Sequence, residues 1–174
     1  MKELILGGIK SGKSRMAESR ALASGLPVTY IATATAGEDE EMRRRIALHR
    51  ERRPAQWQAV EEPLRLAHAL AQLAAPGQCL LVDCMTLWLT NLLLQGNEAQ
   101  FERERDAFLT TLPQLPGHII LVSNETSMGI IPIGDLTRRF CDEAGRLHQE
   151  LARICDRVIL TVAGLPLILK GEPL

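Results

Sequence analysis

Residues 4–18 read LILGGIKSGKSRMAE, and the fold is decided there. Aliphatic residues run into a double glycine, then Ser-Gly-Lys-Ser, then a segment of helical composition. Gly7, Gly8, Ile9, Lys10, Ser11, Gly12, Lys13 and Ser14 satisfy G-x-x-x-x-G-K-[ST], between a strand and a helix as that motif requires. Glycines let backbone N–H groups converge on phosphate oxygens, and the helix that follows adds partial positive charge. Lys13 is expected to reach the β- and γ-phosphates and Ser14 to ligate Mg²⁺. A second acid for the metal is expected at Asp83, which ends the buried run CLLVD (79–83), where open α/β sheets hold their ligands. These residues point to a nucleoside-triphosphate-using fold without naming a reaction.

Outward from the loop, short aliphatic runs alternate with helical patterns. ELIL (3–6), VTYIA (28–32), CLLVDC (79–84), HIILVS (118–123) and RVILTVA (157–163) suit strands covered on both faces, and LILK (167–170) suits an edge strand. Helices are expected over 13–24, from Asp39 to Arg53 before Pro54, after Pro63, over 86–95 and 98–112, and over 135–156. In the last of these, Leu136, Phe140, Ala144, Leu147, Leu151 and Ile154 form an apolar stripe. The alternation predicts a doubly wound α/β domain with a mostly parallel sheet, a single domain over 1–174.

Composition narrows the function classes. A net charge of −1 provides no global field for nucleic acid or anionic membrane, so no nucleic-acid partner is expected. No apolar run approaches the ~20 residues of a membrane helix, and the N-terminus is too short for a signal peptide; a cytoplasmic protein is expected. Cys79, Cys84, Cys141 and Cys155 lack metal-type or redox-type spacing and read as reduced, buried thiols.

The segment EEMRRRIALHRERRP (40–54) carries six arginines between residues 43 and 53. On a helix, His49 shares a face with Arg45 and Arg52, whose charges disfavour a protonated imidazole. Spacing leaves three readings open: a solvated face, a phosphate clamp, or a neutral nucleophile that attacks phosphorus. His68 and His118 read as structural, and His148 as either packing or substrate contact.

GGIKSGKSRMAE, YIATA, DEEMRRRIALHRERRPAQWQAVEEP, LLVDCMTLWLTNLL, SNETSMGIIP, RRFCDEAGRLHQ and VAGLPLILK follow one another as in the bifunctional adenosylcobinamide kinase/adenosylcobinamide-phosphate guanylyltransferases, which the chain resembles from Leu4 to Lys170. The resemblance implies a RecA-like P-loop NTPase fold and a homotrimer. It implies phosphorylation of adenosylcobinamide with ATP or GTP, then GMP transfer from GTP to adenosylcobinamide phosphate through a guanylylated histidine, His49. It implies that GTP is contacted by Gly7 through Ser14, by Ile31, Ala32 and Thr33, by Arg50, Glu51, Arg52 and Arg53, and by Glu61 and Asp83. Thr126-Ser127 and His148 depart from the family pattern, which has Val-Gly and asparagine there. The alternatives are a single-activity kinase with His49 as a clamp, or a nucleotide-dependent RecA-like regulatory protein. The two chemistries act at γ- and α-phosphorus, so either GTP takes two poses or the His49 helix moves, with Gly37 in the loop 34–40 as hinge.

Overall fold

The computed structural model describes residues 1–35, 40, 41, 43, 44, 47 and 54–173. In chain order it contains β1 (Lys2–Gly7), α1 (Lys13–Ala23), β2 (Val28–Ala32), β3 (Gln58–Glu61), α2 (Leu66–Leu73), β4 (Cys79–Asp83) and α3 (Met85–Leu94). There follow α4 (Glu98–Thr111) with a 3₁₀ turn (Leu112–Gln114), β5 (His118–Asn124), α5 (Asp135–Ile154), β6 (Arg157–Val162) and β7 (Leu165–Lys170). Glu40, Glu41, Arg43, Arg44 and Ala47 are helical. The expected cap at Asp39, the helix end at Arg53 and the hinge at Gly37 lie outside the described residues.

The strands form one sheet in the order β3-β2-β4-β5-β1-β6-β7. Every neighbouring pair is parallel except β6 and β7, which form an antiparallel hairpin. Successive side chains on a strand point to opposite faces, and the core divides accordingly. Leu4, Leu6, Leu80, Val82, Ile119 and Leu121 face α2 to α5, while Ile5, Leu81, Ile120, Val122 and Ile159 face Ala17 and Ala21 of α1. Helices on both faces make the sheet doubly wound, as expected.

Four details differ from the sequence expectations. β3 is a strand that no apolar run announces, since three of the four residues in QAVE are exposed and β3 pairs only with β2. His68 is exposed on α2 and is no core residue. The stripe on α5 is buried at Ala144, Leu147 and Leu151, but Leu136 is 54% exposed because the first turn meets only α3 across a shallow groove. All four cysteines are free; Cys141 alone is half-buried rather than buried.

Candidate active site

β1 stops at Gly7 and α1 starts at Lys13, so the intervening loop wraps the N-terminus of α1. Gly12 caps that helix in a left-handed conformation with φ 97° and offers no side chain, which leaves the first amides available to an anion. The loop tolerates no side chain at its pivots. A Cβ on Gly7 would fall 2.3 Å from Ser11 Oγ and 2.7 Å from the Thr161 carbonyl oxygen. One on Gly12 would lie 3.0 Å from Gly164 Cα.

Neighbouring strand ends hold the loop in place. The Glu125 amide, just past β5, donates to the Gly7 carbonyl at 3.0 Å. On the other side, the Gly164 amide in the β6–β7 turn donates to the Ser11 carbonyl at 2.8 Å. Lys13 Nζ lies across the loop and donates to the Gly8 carbonyl at 3.2 Å. Burial depresses the Lys13 pKa, and the charge of Asp83 opposes that. β5 stands between β1 and β4, so adjacent-strand spacing puts the axes of β1 and β4 ~10 Å apart. Lys13 and Asp83 therefore face one another over the end of β5, with Ser14 half-buried in the first turn of α1.

The turn after β4 is clamped to β2. Thr33, fully buried, donates its hydroxyl to the Cys84 carbonyl at 2.7 Å and accepts the Cys84 amide at 2.8 Å. Asn91 of α3 donates to the Thr33 carbonyl at 2.8 Å and to that of Pro63 at 3.1 Å. Burial, with the Asp83 charge beside it, pushes the Cys84 thiol up to about 11, so it stays a neutral thiol bonded to Thr86. At the end of β5, Asn124 donates to Thr86 Oγ1 at 2.9 Å. Ser123 Oγ and His148 Nε2 are 2.7 Å apart beneath it, both buried. Burial lowers the His148 pKa, opposed by the charge of Glu125.

The expected residues are thus distributed along one edge of the sheet. Gly7 to Ser14 and Asp83 converge. Ile31 lies wholly in the core, Ala32 is half-buried, and Thr33 works on the backbone of Cys84. Glu61 ends β3, opposite Ala32, with three strands between it and β1, a span of roughly 19 Å. His49, Arg50, Glu51, Arg52 and Arg53 lie outside the described residues. Asn124 and Glu125 are part of the stretch SNETSMGIIP that carries the resemblance, but no role was expected of them; they stand at and just past the end of a buried strand.

A phosphate loop on a sheet with an inserted strand before the acidic strand defines a RecA-like phosphate-loop NTPase. A solved RadB recombinase shares the fold, with TM-score 0.53 at 16% identity over 91% of this chain and 73% of that one. The chain belongs to the cobinamide kinase/cobinamide phosphate guanyltransferase family, whose model matches residues 3–169. It is 62% identical to the bifunctional adenosylcobalamin biosynthesis protein CobP of Pseudomonas aeruginosa, over the whole of both chains. It is 35% identical to the bifunctional adenosylcobalamin biosynthesis protein CobU of Escherichia coli, over 96% of this chain and 98% of that one.

Proposed function

We propose that this chain phosphorylates the aminopropanol hydroxyl of adenosylcobinamide with ATP or GTP, then transfers GMP from GTP to the new phosphate. The products are adenosylcobinamide-GDP and pyrophosphate. The observation that carries the reading is the loop itself: Lys13 over an uncapped helix start, facing Asp83, in a chain that matches the family from end to end.

In this reading the amides of Gly7 to Ser14 cradle the phosphates, and Lys13 neutralises charge that develops on the transferred group. The Ser14 hydroxyl and the Asp83 carboxylate are hard oxygen donors that would hold Mg²⁺. Bound there, Mg²⁺ would supply charge neutralisation between the phosphates. Ala32 and Glu61 take the nucleoside end, on a floor that the fully buried Ile31 and Thr33 hold from beneath. The ~19 Å from β1 to β3 accommodates an extended nucleotide laid across the strand ends.

His49 is the nucleophile of the second step. Its imidazole attacks the α-phosphorus of GTP, pyrophosphate leaves, and the guanylyl-histidine then passes GMP to the corrinoid phosphate. Arg50, Glu51, Arg52 and Arg53 flank it and hold the triphosphate. The chain acts as one catalytic domain over 1–174, as a cytoplasmic homotrimer without nucleic-acid partners. The exposed aliphatics on β7 and on the loop before α5, among them Leu165, Leu167, Ile130 and Ile133, support assembly. Among the described residues no helix is long and apolar enough to cross a membrane.

The test is covalent labelling. With α-³²P-labelled GTP, the wild-type polypeptide should acquire acid-labile, base-stable label, and His49→Ala should acquire none. Label that survives His49→Ala, or none on the wild type, leaves only a phosphate-loop kinase.

A further inference from the structure

The two acceptors proposed for this site differ in one respect: the first is an alcohol and the second a phosphate monoester. An alcohol must lose a proton as it attacks phosphorus. A phosphate monoester is already anionic at neutral pH and needs no base. A site that serves both therefore requires a proton acceptor for one step only.

Candidates are few among the described residues. Asp83, Glu61, Glu62 and Glu125 are the carboxylates at the C-terminal ends of β2 to β5 and just beyond. Asp83 faces Lys13 and is the acidic partner for the metal. Glu61 stands at the far edge, on β3, with three strands between it and β1. Glu62 accepts the Leu64 and Arg65 amides at 2.9 and 2.7 Å and so shapes the entry to α2. Glu125 is different. Its own amide bonds to the first residue of the phosphate loop, on the strand adjacent to β1.

The Glu125 side chain is also aimed. The amide and hydroxyl of Ser127 both donate to its Oε1, so residues 125–127 form a tight turn that fixes the carboxylate beside its own strand end. The buried His148 ring of α5, pinned by Ser123, packs beneath the same strand end. Glu125 is half-buried, hence accessible, at the strand end that borders the phosphate loop.

We infer that Glu125 is the proton acceptor for the alcohol in the kinase step, and that it has no proton-transfer role in guanylyl transfer. The substrate oxygen forms a bond to the γ-phosphorus, and the bond from that phosphorus to the β–γ bridging oxygen breaks. The hydroxyl proton passes to a carboxylate oxygen of Glu125, which later releases it to water. The nucleoside diphosphate leaves with the bridging oxygen's electron pair. Because phosphoryl transfer runs through a loose transition state, a carboxylate of ordinary or low basicity suffices to orient the hydroxyl and take its proton late.

The inference rests on the proposed bifunctional reading, and Glu125→Gln tests it. Glutamine keeps an oxygen for the Ser127 donors, so the turn persists while the capacity to take a proton is lost. Four quantities are measured on wild type and variant: the rate of adenosylcobinamide phosphorylation, the label taken from α-³²P-GTP, the affinity for a fluorescent GTP analogue, and the melting temperature. The kinase kcat should fall 100-fold or more, as loss of a general base does, with label, affinity and melting temperature near those of wild type. A kinase rate within threefold of wild type overturns the inference and leaves the functional reading standing. An equal fall in both activities also overturns it, since that marks a merely structural role. A wild-type chain that neither phosphorylates adenosylcobinamide nor takes label overturns the functional reading, and the inference falls with it.

Discussion

Lys13 is a half-buried cation whose environment works against its charge until a phosphate arrives. Burial lowers its pKa, and the opposing pull of Asp83 does not cancel that. Removing the ammonium therefore costs the empty protein little and the loaded one much. Lys13→Ala should leave the melting temperature of the nucleotide-free protein unchanged or raise it. In steady-state kinase assays it should lose ~3–4 kcal/mol of transition-state stabilisation. Thr33 behaves in the opposite way. Its hydroxyl satisfies both the amide and the carbonyl of Cys84 in a fully buried place. Thr33→Val preserves shape and orphans both groups, so urea unfolding should show a loss of about 1–3 kcal/mol. The place of the glycine loop between β1 and α1, and of Asp83 at the end of β4, was legible in the sequence because each has a local signal: a spacing in one case, the end of an aliphatic run in the other. Thr33 was named only by resemblance, as a nucleotide contact. Its bond to a residue 51 positions away is a tertiary fact that no window of sequence contains.

At the level of elements, strands covered on both faces were legible to within a residue or two, because continuous aliphatic runs have no other stable use in a chain of this composition. VTYIA matches β2 residue for residue. β3 escaped because an exposed edge strand of four residues needs no apolar pattern; its neighbour β2 supplies the pairing. β7 was half seen, and its first residues, Leu165 and Pro166, were missed because a proline sits there directly after the Ala163-Gly164 turn, although both pair with β6. Strand order was not legible at all. Parallel neighbours are joined through helices, so nothing in the chain announces that β5 lies between β1 and β4. The same gap hid Glu125, whose place beside the loop exists only once β5 is known to pair with β1. Helix ends follow local rules more faithfully. Asn97 caps α4 through the Gln100 amide at 3.1 Å. Lys170 closes the far end of α5 by donating to the carbonyls of Ala152, Arg153 and Cys155.

Across the whole molecule the sheet has two differently charged edges. Opposite the phosphate loop, Glu3 is fully buried between two guanidinium groups and an imidazole, with Arg20 at 2.6 Å, His118 at 3.1 Å and Arg157 at 3.3 Å. Burial pushes its carboxyl up, but hydrogen bonds from His118 and Arg20 and the Arg20 charge together bring it down to about 2. The folded chain thus binds this proton more weakly than the unfolded one. The stabilisation is complete above about pH 5 and is lost as pH falls toward 2. Glu3→Gln should flatten the acid limb of a stability–pH curve. At neutral pH it should cost about 3–5 kcal/mol, because Arg20 and Arg157 lose their counter-charge. The bond between Gly164 and Ser11 has a wider consequence. The tip of the outermost ribbon is tied to the glycine loop, so a displacement of that ribbon from outside would carry to the start of α1. A neighbouring molecule that leaned on the leucine-studded margin would hold one end of a lever whose other end is that loop.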